Sequence, residues 1–377
     1  MKTKHRIVRE YIQSKILDGT FSPNEKIGSE SEFMERFQVS RHTVRLAIGD
    51  LVNQGWLYRK QGAGTYCAAR SELGQMDKNH KNIALITTNI SDYIFPSIIQ
   101  GAESYLSKHG YNVSLFSTDN DHKHEKEVLE KILTHPIDGV IIEPTKSALS
   151  NPNIHYFLNL EKSDIPYVMI NAYYDELEPF SITIDDVKGG FIQTEHLIMQ
   201  GHQNILGFFK TDDLQGTRRM KGYIKAHRSH QLQINPSNII TYHTEEKSTK
   251  PVDMLEKILL RPGQTRPTAI VCYNDELALL LLDVLRKQKL KIPKDISLIG
   301  YDDSILSQVS EVKLTTIKHP QAVMGEVAAR KILEVINDRV SIPPYKGRQD
   351  SITYEPELVI RNSTNTFETP RIEIQTV

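Results

Sequence analysis

Ser29-Glu30-Ser31-Glu32-Phe33-Met34-Glu35-Arg36-Phe37-Gln38-Val39-Ser40-Arg41-His42-Thr43-Val44-Arg45 is the stretch that decides how the N-terminal part of this 377-residue chain folds. Ser29 followed by Glu32 is a capping box: the hydroxyl takes the third amide of a helix and the carboxylate reaches back to the cap. The helix it opens runs through Phe33, Met34 and Phe37. Ser40 caps a second helix, which turns Val44, Ala47, Ile48, Leu51 and Val52 inward at helical spacing and ends at Asn53-Gln54-Gly55. Arg41, His42, Thr43 and Arg45 are left on the outer edge of that helix start.

Working outward, Ile7, Val8, Tyr11, Ile12 and Ile16 recur at helical spacing before Asp18-Gly19, with Pro23 beyond. On the other side, Trp56–Tyr58 and Thr65–Cys67 are β-prone runs around Gly62-Ala63-Gly64, a hairpin signal. Three helices and a hairpin within residues 1–68 read as a winged helix-turn-helix. In such proteins the start of the second helix of the pair enters the major groove. Arginine there can bind guanine bidentately, and threonine can meet a base edge or a phosphate. Lys60, Gln61 and Gly62 at the hairpin tip suit a wing lying along phosphates or a minor groove. Turn geometry alone also accounts for the glycines.

Charge is distributed accordingly. Residues 1–70 hold five Lys and seven Arg against seven Asp or Glu, net +5, so the remainder is −6 in a chain of net −1. A basic small block on an acidic large one suits a polyanion partner for the block alone. No apolar run of about 18 residues is present, so no spanning helix is expected. The N-terminus lacks the apolar stretch of a signal peptide. Cys67 and Cys272 are far apart in sequence and suggest no disulfide framework, which fits a reducing cytoplasm.

Residues 69–81 are polar and read as a linker. From Ile83 the pattern changes. Ile83–Thr88, Val113–Ser117, Ile137–Ile142, Tyr167–Ile170, Ile205–Phe209, Ala269–Cys272 and Ile296–Gly300 are short apolar runs separated by amphipathic stretches such as Pro96–Lys108, Gly189–Met199 and Glu276–Gln288. That alternation is α/β, with doubly wound parallel sheets, and its length suits two lobes over residues 82–362. Residues 363–377 read as an irregular tail. Open parallel sheets bind ligands beyond the carboxyl ends of their strands. Polar or aromatic groups at such ends are Tyr93, Phe95, Glu143, Lys146, Asn171, Lys210, Asp212, Asn274, Asp275 and Asp302. A helix cap is the alternative role for Asp275 and Asp302. Glu143 and Lys146 could simply pair on a rim.

The motifs Ser29-Glu30-x-Glu32-Phe33, Val39-Ser40-Arg41-x-Thr43-Val44-Arg45-x-Ala47 and Leu51-x-x-x-Gly55-x-Leu57-x-Arg59-x-x-Gly62-x-Gly64-Thr65 resemble the GntR-family winged helix. That family usually carries arginine where this chain has Ser31, so the preceding helix is expected to read DNA differently, with Glu30 a candidate acceptor for cytosine. The larger block resembles the LacI/GalR-type sensor, related to periplasmic sugar-binding proteins. The segments carrying this include Ile137-Asp138-Gly139-Val140-Ile141, Asp185-x-x-x-Gly189-Gly190, Arg219-x-x-Gly222-Tyr223, Tyr273-Asn274-Asp275 and Ile299-Gly300-Tyr301-Asp302-Asp303. With Ile90–Pro96 the resemblance is nearest to the arabinose-responsive combination of these two parts in Bacillus-type bacteria.

The resemblance implies a repressor of carbohydrate-utilisation genes, released from a palindromic operator by L-arabinose. It also implies a homodimer formed through the sensor, no cofactor, and no membrane partner. It gives Arg219 the role of holding sugar hydroxyls and turns Asn274, Asp302 and His319 into the cleft. A different sugar or small metabolite is the alternative effector. Among other function classes, an enzyme is disfavoured because no Gly-x-Ser-x-Gly, His-Glu-x-x-His or Cys-x-x-Cys occurs. Asp121-His122-Lys123-His124-Glu125 could hold a metal but reads better as a solvated helix start.

Overall fold

The first helix, α1 (Lys4–Leu17), packs on α2 (Glu30–Phe37) and α3 (Arg41–Asn53) because each contributes one apolar stripe: Val8 and Ile12, Phe33, and Val44, Ala47, Ile48 and Leu51 meet in one buried cluster. Burying an aliphatic side chain of this size contributes about 1.5–3 kcal/mol. The structure is a computed structural model that describes residues 3–68, 81–91, 93–261, 266–337 and 351–367. Both sequence-predicted caps form. Ser29 Oγ accepts from Glu32 N at 3.2 Å while the Glu32 carboxylate accepts from Ser29 N at 3.1 Å, and Ser40 Oγ accepts from Thr43 N at 3.3 Å. The chain then forms β1 (Leu57–Lys60) and β2 (Gly64–Cys67), antiparallel with Lys60 opposite Gly64, and Gly62 turns the tip at φ 73°.

Beyond the linker, whose residues 69–80 lie outside the described ones, the chain builds two parallel sheets. The first lobe contains β3 (Asn82–Thr87), α4 (Phe95–Lys108), β4 (Asn112–Ser117), α5 (His122–Thr134), β5 (Gly139–Ile142), α6 (Ile154–Lys162), β6 (Tyr167–Ile170) and β7 (Ser181–Ile184). The second contains α7 (Asp186–Met199), β8 (Ile205–Lys210), α8 (Leu214–Ser229), β9 (Ile239–Tyr242), α9 (Lys250–Leu259), β10 (Ala269–Cys272), α10 (Asp275–Lys287), β11 (Ser297–Ile299) and α11 (Ile305–Val309). After β12 (Thr316–Lys318) the chain returns to the first lobe as α12 (Gln321–Asn337) and β13 (Ile352–Tyr354), then crosses back as β14 (Glu357–Val359). Sheet orders are β13-β7-β6-β5-β3-β4 and β11-β10-β8-β9, with every pairing in both parallel. Each sheet is covered on both faces, so strands such as β5, β6 and β10 are buried along their whole length.

Three crossings between the lobes make the cleft a hinged one: Ile184 to Asp186, Lys318 to Gln321, and Tyr354 to Glu357. Neither this interleaving nor the three- and four-residue strands β7, β9, β12, β13 and β14, too short to show a period, is visible in the sequence pattern. Residues 363–367, read as the start of a tail, are neither helix nor strand, yet they are fastened to the second lobe. Leu298 N donates to Ser363 O at 2.8 Å and Phe367 N to Gln200 O at 2.8 Å. Residues 368–377 lie outside the described ones. The reader rests on the first lobe: Leu17 joins the cluster containing Phe157 and Leu160 of α6, and Asn159 Nδ2 donates to Leu17 O. Among the described residues no helix is long and apolar enough to cross a membrane.

Candidate functional site

A cavity of about 540 Å³ lies between the lobes. It is lined by residues that follow strand after strand: Thr88, Glu143 and Asn171 from the first lobe, and Lys210, Asn274 and Asp302 from the second. Several chain reversals there use left-handed backbone on residues that are not glycine: Tyr93 at φ 64°, Asn171 at 65° and Asp302 at 94°. Such conformations are uncommon and persist where the surroundings hold them. All three residues line the cavity.

Arg219 forms the centre of the second-lobe wall. It sits on α8 where α8 meets α7 almost backbone to backbone. A Cβ on Gly190 would lie 2.3 Å from Arg219 O, and one on Gly222 2.3 Å from Val187 O. Only glycine permits that approach, which gives the Gly189-Gly190 and Arg219-x-x-Gly222 motifs their physical meaning. The guanidinium donates from Nε to Asp186 Oδ1 at 2.8 Å, from one Nη to Tyr273 O at 2.7 Å and from the other to Asp302 Oδ1 at 3.2 Å. The Tyr301 ring lies 3.5 Å and the Tyr273 ring 4.9 Å from its centre. Burial works against its charge, but the Asp302 and Asp186 carboxylates outweigh burial and hold the cation above its ordinary pKa. Burial raises Asp186 to about 6 despite Arg219. Arginine carries five N–H donors; three are committed here, which leaves two on a residue that lines the cavity.

The opposite wall is a relay. His319 Nε2 lies 3.0 Å from Asn171 Oδ1, Asn171 Nδ2 donates to Glu143 Oε1 at 2.9 Å, and Thr88 Oγ1 donates to Glu143 Oε2 at 2.7 Å. Burial lowers His319 to about 4, so it is neutral at pH 7. Its Nε2 must then carry the proton to serve Asn171, and Nδ1 is a buried acceptor with no partner among the described residues. Burial also raises Glu143 above its ordinary value, against the pull of Thr88, Asn171 and Lys210. Tyr93 reaches across from the first lobe. Its hydroxyl donates to Asp302 Oδ2 at 2.5 Å and accepts from Asp275 N at 3.3 Å.

Tyr93, Phe95, Glu143, Asn171, Arg219, Asn274, Asp302 and His319 thus converge on one cavity. Three residues expected there do not line it. Asp275 turns inward: its carboxylate accepts from Thr316 Oγ1 at 2.7 Å and from Ser304 N at 2.8 Å, and burial raises it to about 8. Its role is to fasten α10 to β12 and the β11–α11 loop. Asp212 accepts from Thr244 N at 2.9 Å and Thr244 Oγ1 at 2.6 Å. Lys146, at φ 43°, extends over the rim to Glu245 Oε1 at 2.5 Å. Sequence reasoning missed Tyr273, Thr88 and Asn120, which line the cavity. Tyr273 directly follows β10, and the strand-end rule that selected Asn274 could have found it.

On the reader, Arg41 and Arg45 have side chains 59% and 61% exposed. His42 is exposed, and Thr43 Oγ1 lies 2.9 Å from Ser40 Oγ. Lys60, Gln61 and Gly62 stand exposed at the hairpin tip, with Lys60 Nζ 5.4 Å from the Tyr66 ring centre. Glu30 faces these arginines and not open solvent: Arg45 Nε donates to both its oxygens at 2.9 and 3.0 Å, and Arg41 Nε lies 3.7 Å away. The expected acceptor for cytosine is therefore a clamp on two cations in the free protein. Of the residues weighed as a metal site, Asp121 caps α5 and Glu125 is buried among Tyr174, Asn151 and Asn153. Among the described residues no three His, Cys, Asp or Glu side chains are grouped to hold a metal ion.

Residues 4–67 match the bacterial regulatory proteins of the gntR family, and residues 194–364 match the periplasmic binding protein-like domain. The chain is 56% identical over 368 residues to the arabinose metabolism transcriptional repressor of Halalkalibacterium halodurans, spanning 97% of each chain. It is 49% identical to the repressor of the same description from Geobacillus stearothermophilus, over 96% of this chain and 97% of that one. Among solved structures, the transcriptional regulator CelR in complex with cellobiose superposes with a TM-score of 0.65 at 20% identity, covering 86% of this chain and 92% of that one. That last likeness speaks to the fold.

Proposed function

Because the chain belongs to the family of the arabinose metabolism transcriptional repressors, DNA-binding regulators and not enzymes, we propose that L-arabinose enters the interlobe cleft and releases the chain from its operator. The observation that carries this reading is the charge matching of the cavity. Its cations already have carboxylate partners: Arg219 has Asp186 and Asp302, Lys210 has Asp213 at 3.0 Å, and Lys247 has Glu276 at 3.3 Å. Glu143 and Asp119 add further acid to the lining. A phosphate would enter against that charge. A neutral polyol needs charged donors and acceptors for its hydroxyls and a ring for its C–H face, and Arg219, Glu143, Asn171 and Tyr273 offer both. No cofactor takes part in this reading.

The chain acts as a homodimer joined through the sensor, which sets two readers on the half-sites of a palindromic operator. Arg41, Thr43 and Arg45 face base edges, and Lys60 to Gly62 face the backbone or minor groove. Sugar stabilises one arrangement of lobes and subunits in which the readers no longer match both half-sites. Operator DNA must then weaken sugar binding by the same factor. Calorimetry against a panel of aldoses, beside fluorescence anisotropy on operator DNA with and without sugar, tests both halves. L-arabinose should give heat and raise the operator Kd. If another sugar binds tightly while L-arabinose gives no heat, the effector assignment is wrong.

A further inference from the structure

We propose that Asn120, at the cavity wall, and the ion pair Lys146–Glu245, outside the cavity lining, form a clasp that holds the cleft shut over its ligand. The proposal rests on the sugar-effector reading and adds residues to it that the sequence did not single out, or assigned elsewhere. Asn120 follows β4 at φ 52° and is buried. Its Oδ1 accepts from Lys146 N at 2.8 Å within the first lobe, while its Nδ2 donates to Thr244 Oγ1 of the second lobe at 2.6 Å. Thr244 is itself fixed by Asp212 through both its amide and its hydroxyl. One side chain therefore joins the loop after β5 to the turn after β9.

Around it the same two segments meet again. Lys146 Nζ donates to Glu245 Oε1 at 2.5 Å, Leu214 N donates to Ser147 Oγ at 3.0 Å, and Ala148 N to Asp212 O at 3.3 Å. The loop is braced from beneath by Glu125, a carboxylate with no exposure. It accepts from Tyr174 Oη, Asn151 Nδ2 and Asn153 Nδ2, and Thr145 N lies 3.4 Å from it. Parting the lobes must break these cross-lobe bonds, so they hold only while the cleft is closed. Lys146 and Glu245 do not line the cavity, so their effect on a ligand must pass through closure.

A bond formed only after closure acts on escape more than on entry. An exposed ion pair is worth a factor of about two to five, and a neutral hydrogen bond a factor of about two to ten. With the full-length protein and the panel sugar that binds wild type most tightly, Glu245→Gln should speed sugar dissociation about two- to fivefold and leave association nearly unchanged. Lys146→Glu should do the same or more, and adding Glu245→Lys should restore the slow dissociation. If Glu245→Gln dissociates at the wild-type rate, or the charge exchange does not rescue Lys146→Glu, the clasp is refuted and Lys146 acts alone. A second arm needs no sugar. In Asn120→Ala, hydrogen exchange should speed up in segments 144–150 and 243–249 together. Faster exchange confined to 144–150 would overturn the proposal, because loss of the local bond to Lys146 N alone explains it. This second arm stands even if L-arabinose proves to be the wrong effector.

Discussion

Arg219→Lys keeps the positive charge of the second-lobe wall and removes its fork, so it isolates what the guanidinium geometry does. The three bonds to Asp186, Tyr273 O and Asp302 leave two N–H groups on a cavity-lining residue. An ammonium has three donors on one nitrogen. If these stay with the two buried carboxylates and Tyr273 O, nothing remains for a ligand hydroxyl. Hydrogen bonds to charged groups are worth about 1.5–3 kcal/mol each, so two lost ligand bonds amount to about 3–6 kcal/mol, or roughly 10²- to 10⁴-fold in Kd. Calorimetry should show sugar binding weakened by that factor, while anisotropy shows operator DNA bound as in wild type and no longer released. Arg219→Ala is a poorer probe, because it strands Asp186 and Asp302 as buried, unpaired acids. Wild-type sugar affinity in a folded Arg219→Lys protein would refute the role given to the fork. Equal loss of operator and sugar binding would make Arg219 a strut within the second lobe and nothing more.

Arg45→Ala should weaken operator binding by about 1–3 kcal/mol in anisotropy titrations and leave the calorimetric sugar Kd unchanged, provided Arg45 exchanges Glu30 for a base edge on DNA. His319 supplies a pH test. Its folded pKa of about 4 lies below the unfolded 6.5, so its stabilising contribution is present above 6.5 and is lost as pH falls toward 4. Between pH 7.5 and pH 5 that loss is about 2 kcal/mol, and His319→Gln should lack it. Denaturant midpoints falling equally in both proteins would show that burial of a neutral imidazole is not the cause. Gly222→Ala puts a Cβ 2.3 Å from Val187 O and 2.5 Å from Phe191 N, so α7 and α8 must part. A stability loss of about 1–3 kcal/mol or more is expected, with sugar affinity falling too because Arg219 moves with α8.

The sequence by itself determined the local pieces. Ser29 with Glu32, and Ser40, fixed where α2 and α3 begin, because a cap is a contact between residues three apart. Apolar runs placed β6 and β10 to the residue, because a strand buried on both faces must be continuously apolar. The strand-end rule found Tyr93, Phe95, Glu143, Asn171, Lys210, Asn274 and Asp302 of the cavity lining from the sequence alone. Direction was another matter. Asn274 and Asp275 are neighbours, yet one lines the cleft and the other turns inward to Thr316 and Ser304, residues about thirty to forty positions later. Lys146 and Asn120 belong to the first lobe by sequence, yet their partners Glu245 and Thr244 are about a hundred positions away. Glu30 looked free to read a base until α3 set Arg45 against it. Side-chain direction at a strand end depends on backbone reversal and on partners brought in by the three crossings between lobes. Those are long-range contacts, and no local pattern encodes them.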